Sequence, residues 1–268
     1  MSDDPGDGVR GQRPAEGGAD GSADGSAERS ADGSAVGQLR ELLIARPAMA
    51  RELPGFDTDA APPEPGALFV EWLLAALRAG VPDAQVLTLA TVGLDGAPDA
   101  RMLVLRDVDP VGGVWWFAGD ADSPKGRQLA AVPRAALTWY WPAQGRQVRI
   151  RGRVAPGEPA AARAVFGLLS PKSRVAALVG RQSEPLVGPA EFWAAWGAAE
   201  RALAADPALV AAGYTQYGVW AEEVEFWQGA ADRRHVRLVY RRSGGRRPGG
   251  PRSGGPAAGE WERGLCWP

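Results

Sequence analysis

The chain has 268 residues, 45% of them hydrophobic and 23% charged, with a formal net charge of -2. No apolar run reaches the ~18 residues that a membrane-spanning helix needs, and the charge balance speaks against a dedicated nucleic-acid binder, whose affinity rests on an excess of basic side chains. The opening Met1-Ser2-Asp3-Asp4-Pro5 has neither a basic flank nor an apolar stretch, so a cytoplasmic protein is expected.

Residues 1–36 form an acidic tail in which Ala-Asp-Gly-Ser recurs at 19–22, 23–26 and 31–34. Such a segment lacks the apolar surface to offset its ordering entropy, so it is expected to be disordered. A single domain is expected over 37–268. Val36 to Ala45 has helical spacing. So does Phe69 to Ala79, where Phe69, Trp72, Leu73, Ala76 and Leu77 share a face and Gly80 supplies a stop. From Val86 the period changes to two, and Val86–Val92 reads as a strand closed by the turn Gly93–Gly96. Arg101–Arg106, Gly113–Phe117 and Ala135–Trp141 are further strands. The clearest alternation follows: Val148, Ile150, Gly152 and Val154 face one way, and Arg149, Arg151 and Arg153 the other. Helices are expected at about 158–169 and 189–204, then strands at about 214–228 and 236–242, and a short one at Trp261. A flexible loop rich in Arg, Gly and Pro at 243–259 interrupts this terminal hairpin. Mostly sequential strands with a few inserted helices imply a small antiparallel barrel, mainly β within the α+β class. No strand runs through a Gly-rich turn into a helix, so a dinucleotide fold is disfavoured.

Two scarcities narrow the chemistry. Cys266 is the only cysteine and His235 the only histidine, which removes disulfides, thiolate clusters and sites needing two imidazoles, so no metal is expected. A serine hydrolase lacks its Gly-x-Ser-x-Gly elbow. Chemistry carried by a bound organic cofactor remains. The chain writes arginine nearly everywhere, with lysine only at Lys125 and Lys172.

Lys125 lies in Ser123-Pro124-Lys125-Gly126, which opens a short helix. A serine, a lysine and free backbone N–H groups at a helix N-terminus can seat a phosphate, although Ser-Pro is also an ordinary cap. Arg101 on a neighbouring strand can add a second cation. Gln147 at the mouth of the alternating strand can both donate and accept, as a heterocycle edge requires, or can be a plain surface residue; the same holds for Gln182 and Ser183. Arg233, His235 and Arg237 alternate, so on one incoming strand they would line a single wall suited to an anionic or heteroaromatic ligand, or can be no more than a solvated basic strand.

Taken in order, these motifs resemble the pyridoxamine 5′-phosphate oxidase family of homodimeric split-barrel flavoproteins. The resemblance runs from about Phe69 to Pro268. It rests on Leu89-Ala90-Thr91-Val92, Arg101-Met102-Leu103-Val104-Leu105, Ser123-Pro124-Lys125-Gly126, Gln182-Ser183, Glu225-Phe226-Trp227-Gln228-Gly229 and Arg233-Arg234-His235-Val236-Arg237. It implies FMN at a homodimer interface. Arg101, Ser123 and Lys125 are then expected to hold its phosphate, with Met102, Leu103, Val104, Leu105 and Arg106 passing along the flavin. Gln147, Gln182, Ser183, Trp227 and Arg237 complete the cofactor set. Arg233 and His235 match the family's catalytic, substrate-contacting pair. The implied reaction moves a hydride from substrate to flavin, with O2 as acceptor and H2O2 as by-product, and yields pyridoxal 5′-phosphate.

The departures are as informative. The family's Tyr-Thr ahead of the Ser-x-Lys turn is Ala118-Gly119 here, the acidic residue of the Arg-x-His-x-Arg motif has become Val236, and the terminal Arg-Leu-x-Pro has become Leu265-Cys266-Trp267-Pro268. The positions at which relatives hold the substrate phosphate with Lys, Tyr, Arg and Ser fall on Arg106, Val165, Leu169 and Ser173. Either Lys172 and Arg174 restore the lost charge from a shifted loop, or the substrate differs, for instance a reduced phenazine-like aromatic acid. A non-catalytic flavin or pyridoxal-phosphate binder is the third reading.

Overall fold

The computed structural model describes residues 34–243 and 261–268; the acidic tail before Ser34 and most of the 243–259 loop lie outside the described residues. The chain divides into two compact units, Met1–Pro47 and Ala48–Pro268. In the first, helix α1 (Ala35–Ala45) starts at Ser34, whose side chain accepts the Gly37 N–H.

The second unit contains α2 (Pro65–Arg78), β1 (Val86–Val92), β2 (Pro98–Asp109), β3 (Val114–Asp120), α3 (Pro124–Ala131), β4 (Arg134–Trp141) and β5 (Arg146–Pro156). The helices α4 (Pro159–Gly167), α5 (Pro171–Val179) and α6 (Pro189–Ala205) follow, then β6 (Tyr214–Gln228), β7 (Val236–Arg242) and β8 (Trp261–Leu265). All the pairings are antiparallel, in the order β3-β2-β1-β4-β5-β6-β7-β8. The first half of β6 also pairs with β3, Tyr214 opposite Asp120 through Trp220 opposite Val114, which closes a six-stranded barrel. The second half, from Glu223, pairs with β7 and carries the β7–β8 hairpin outward. One strand thus serves two partners, and the barrel splits along it. Closure leaves no free edge along the barrel wall.

The split coincides with a register shift between Arg151 and Gly152 on β5. A Cβ at Gly152 would lie 2.0 Å from the Trp220 carbonyl oxygen, so only glycine lets β6 cross there. Elsewhere β5 keeps its expected alternation: Val148, Ile150, Gly152 and Val154 are buried, and the arginines between them point outward. They meet acidic residues of β6, Arg149 with Glu225, Arg151 with Glu223 and Arg153 with Glu222.

Helix α2 plugs the barrel. Phe69 is fully buried, with ring centroids 4.8 Å from Trp139 and 5.6 Å from Trp115, both edge-on. Its buried face is turned slightly from the expected one: Leu68, Phe69, Trp72 and Ala76 are inside, whereas Leu77 is 46% exposed. Gly80 ends the segment at φ +68°, a conformation glycine adopts without strain.

Candidate functional site: an anion seat and a second polar row

The N-terminus of α3 is built for an anion. Ser123 caps it, accepting the Gly126 N–H, and Pro124 occupies the first turn. Lys125 Nζ donates to Ser123 Oγ at 3.0 Å and to Gln182 Oε1 at 2.5 Å. Ser123 and Lys125 are only 1% and 7% exposed. Burial pushes the Lys125 ammonium below its usual pKa; the Asp120 charge opposes this, and the Arg101 charge adds to it. Among the described residues no carboxylate stands in ion-pair contact with Lys125. A buried amine beside a second cation, at the positive end of a helix, can hold an anion.

Two glycines make room for this seat. A Cβ at Gly126 would lie 2.2 Å from the Ala121 carbonyl oxygen, and one at Gly119 would lie 2.7 Å from Lys125 Cε. The Lys125 stem folds over the bare backbone of Gly119. Gln182 reaches the seat from a strained turn. Arg181 and Ser183 on either side of it have φ of +55° and +70°, and Gly180 has +60°. Such geometry persists only where surrounding contacts hold it. Arg101 completes this cluster through contacts with Thr91, Asp99 and Gln128. Along β2 beyond Arg101, Leu103 and Leu105 pack toward the core, while Met102, Val104 and Arg106 face outward.

A second group lies across β5, β6 and β7. Gln147 sits opposite Trp227, and Trp227 opposite Arg237, so the three form one transverse row. Arg237 donates to both oxygens of Glu225, Nε at 3.2 Å and NH2 at 2.9 Å, and NH1 donates to the Trp267 carbonyl at 2.8 Å. Glu225 also accepts from Arg149 at 2.7 Å and is 4% exposed. Burial alone would raise its pKa, but the hydrogen bonds and charges of the two arginines more than offset this and hold it low. The C-terminal tail is tied in as well, since the Cys266 N–H donates to the Arg237 carbonyl.

The expected single wall of Arg233, His235 and Arg237 is corrected here. β7 begins at Val236, so Arg237 lies on the strand while Arg233 and His235 precede it in a turn, with Arg233 at φ +67°. The His235 ring lies 4.8 Å from that of Trp227, and its Nδ1 accepts the Ala230 N–H at 3.0 Å, which places an imidazole proton on Nε2 when the ring is neutral. No hydrogen bond or ion pair among the described residues joins this group to the Lys125 cluster.

The segment expected as a loop around Lys172 is helix α5. Ser170 caps it, accepting the Ser173 N–H, with the Ser170 and Ser173 hydroxyls 2.9 Å apart. Both lysines of the chain thus follow a Ser-Pro pair at a capped helix start. Arg174 does not supply a free charge: its NH2 donates to the carbonyls of Pro207 and Leu209, and the guanidinium lies 5.3 Å from the Phe166 ring centroid. Val165 and Leu169 are half-buried.

Sequence reasoning missed Glu225, Gln128 and the space at Gly119. Glu225 was the accessible one, because three alternating arginines on β5 call for carboxylates on the neighbouring strand. The other two depend on contacts between distant segments.

A barrel that splits along one strand, with a buried lysine at a helix N-terminus beside it, defines the class to which known proteins point. Residues 73–195 match the family described as pyridoxamine 5′-phosphate oxidase, and residues 214–268 match the pyridoxine 5′-phosphate oxidase C-terminal dimerisation region. A pyridoxine/pyridoxamine 5′-phosphate oxidase of Thermosynechococcus vestitus is 42% identical over 188 residues, covering 70% of this chain and 87% of its own. One from Rhodopseudomonas palustris (strain BisA53) is 38% identical over 181 residues, covering 67% and 83%. Among solved structures, PhzG from Burkholderia lata 383, in complex with tetrahydrophenazine-1-carboxylic acid, superposes with a TM-score of 0.70 at 27% identity, covering 81% of this chain and 100% of its own. The chain belongs to the pyridoxamine 5′-phosphate oxidase family of oxidoreductases. No described helix is long and apolar enough to cross a membrane.

Proposed function

We propose that the protein is an FMN-dependent oxidase that converts pyridoxamine or pyridoxine 5′-phosphate to pyridoxal 5′-phosphate, passing electrons to O2 and releasing H2O2. With the amine substrate, water enters and ammonia leaves. The observation that carries this reading is the buried Ser123–Lys125 pair at the start of α3, with exposed Gln182 bonded to the Lys125 amine, in a chain of this family. FMN, when bound, supplies the hydride acceptor and its reoxidation by oxygen.

The chain's own residues supply the rest. Ser123 and Lys125 hold the cofactor phosphate by charge-assisted hydrogen bonds, with the Arg101 charge close by. Gln147, Gln182, Ser183, Trp227 and Arg237 line the heterocycle, and the outward face of β2 (Met102, Val104, Arg106) runs beside it. Arg233 and His235 orient the substrate, whose phosphate lies toward Arg106 and Ser173. Among the described residues, no hydrogen bond or ion pair joins the Lys125 cluster to the Arg237 row. A homodimer formed through the C-terminal region sets one protomer's cluster facing its partner's row, so a complete site needs two copies.

Oxygen uptake and mass spectrometry of the products from a panel of phosphorylated and unphosphorylated amines test this reading. Pyridoxal 5′-phosphate formed with matching oxygen consumption supports it; a yellow protein without turnover at millimolar pyridoxamine 5′-phosphate rejects it.

Val165 and Leu169 support a second reading, in which the fold and flavin stay and the substrate is a reduced aromatic acid, as in the ligand complex of the superposed PhzG structure. A phosphate dianion loses two polar partners at these positions, and desolvating it without them is costly. On this reading Leu169→Arg creates or raises activity on pyridoxamine 5′-phosphate, measured as kcat/KM. A strong native activity on that substrate, unchanged by Leu169→Arg, rejects altered specificity.

A further inference from the structure

A closed ring of hydrogen bonds surrounds the Arg101 guanidinium. NH1 donates to Thr91 Oγ1 at 2.5 Å and, more weakly, to the Leu89 carbonyl at 3.4 Å. NH2 donates to Asp99 Oδ2 at 2.5 Å and to Gln128 Oε1 at 2.9 Å. Gln128 closes the ring, accepting the Thr91 hydroxyl on Oε1 at 2.6 Å and donating Nε2–H to Asp99 Oδ2 at 2.8 Å. Thr91 and Gln128 are 5% and 8% exposed, so the ring has a buried side; the Asp99 side chain, 45% exposed, is its open side.

Both terminal nitrogens of Arg101 donate inside the protein. Arg101 therefore serves the neighbouring seat mainly as a fixed charge. Gln128 lies three residues after Lys125 on α3, so the two side chains leave the same face of that helix, and both are buried. One short helix thus carries the amine of the seat and the handle that holds the second cation behind it.

We propose that Gln128 is a positioning residue of the anion seat: it fixes Arg101 behind Lys125, and Asp99 attenuates the charge that a bound phosphate feels. The proposal rests on the reading of Ser123 and Lys125 as the FMN phosphate seat. Without Gln128 the long arginine stem swings toward Asp99 and solvent. Without the Asp99 charge the frame keeps an acceptor but the seat becomes more positive.

The test is titration of flavin-stripped full-length protein with FMN and with riboflavin, which is the same heterocycle without the phosphate. Lys125→Ala comes first. If it leaves the ratio of FMN to riboflavin affinity unchanged, the phosphate seat itself is misplaced, whatever Gln128 does. If it lowers that ratio, the seat stands and the frame is tested by itself. Gln128→Leu is then expected to weaken FMN about three- to tenfold, the range of a displaced hydrogen-bonding partner, with riboflavin affinity unchanged. Riboflavin binding also reports that the variant is folded. Asp99→Asn, at the open side of the ring, is expected to tighten FMN about two- to fivefold, by removing a charge of the phosphate's own sign. Equal losses for both flavins in Gln128→Leu, or no loss, would reduce Gln128 to a structural prop and overturn the proposal. Weaker FMN binding in Asp99→Asn would overturn the attenuating role of Asp99.

Discussion

Replacing Lys125 by alanine is expected to weaken FMN binding about 10- to 150-fold. A hydrogen bond between a charged amine and a phosphate oxygen is worth about 1.5–3 kcal/mol, and each ~1.4 kcal/mol is a decade in affinity. The upper part of the range is favoured because Lys125 is 7% exposed, so water does not compete for its ammonium. Lys125→Arg should be milder but not silent. The seat is cut to the lysine stem, with Cε against Gly119, and a planar fork cannot follow the same path. Lys172→Ala is the control, since it removes the only other lysine, from the exposed first turn of α5. Flavin titration of the stripped proteins reads all three. Equal affinity for Lys125→Ala and the natural chain would mean that Ser123-Pro124-Lys125-Gly126 is only a helix cap.

The second large effect is on stability. Phe69→Ala should destabilise the protein by about 3–5 kcal/mol, the usual cost of truncating a fully buried aromatic ring. The ring is edge-packed against Trp115 and Trp139 and tilted against Trp141, with centroids 5.6, 4.8 and 6.4 Å away. Three rigid indoles held on strands cannot close over the void, which places the cost toward the top of the range. For a domain of this size that is a fall in melting temperature of about 2–4 °C for each kcal/mol. Phe69→Leu keeps most of the volume and should lose less than half as much. Thermal unfolding followed by tryptophan fluorescence measures both, and a loss below about 1 kcal/mol for Phe69→Ala would show that α2 is not the barrel's plug.

Most of the barrel was legible because its strands write their environment in period two. β1 has its expected limits, and the arginine face of β5 announces an outward side. Closure through β6 was not legible. It depends on one long strand pairing with β3 at one end and β7 at the other, and on Gly152 allowing the crossing. Helix α5 was missed because nine residues between Ser170 and Gly180 are too few for a helical period to stand out. The Arg233–His235 pair was misplaced for the opposite reason. The alternation continued by accident into a turn, where the local signals Gly229 and Asp232 should have outweighed it.

The site divides in the same way. The seat at Lys125 was readable from one local string, because its cap, proline and lysine are consecutive. The Lys125–Gln182 contact joins residues far apart in sequence, and the Arg101 ring draws on β1, β2 and α3 together. Such pairings are set by topology, which no local pattern encodes. Glu225 lies between. Its charge partners could be inferred from β5, but its hold on Arg237 needed the β6–β7 register.

Anaerobic mixing of the FMN-loaded protein with pyridoxamine 5′-phosphate, followed by a single oxygen pulse, tests the proposed oxidase activity. The yellow colour should bleach on mixing and return with the pulse, and pyridoxal 5′-phosphate and H2O2 should appear in equal amounts. A flavin that stays yellow under saturating pyridoxamine 5′-phosphate, in a protein that binds FMN tightly, would contradict it.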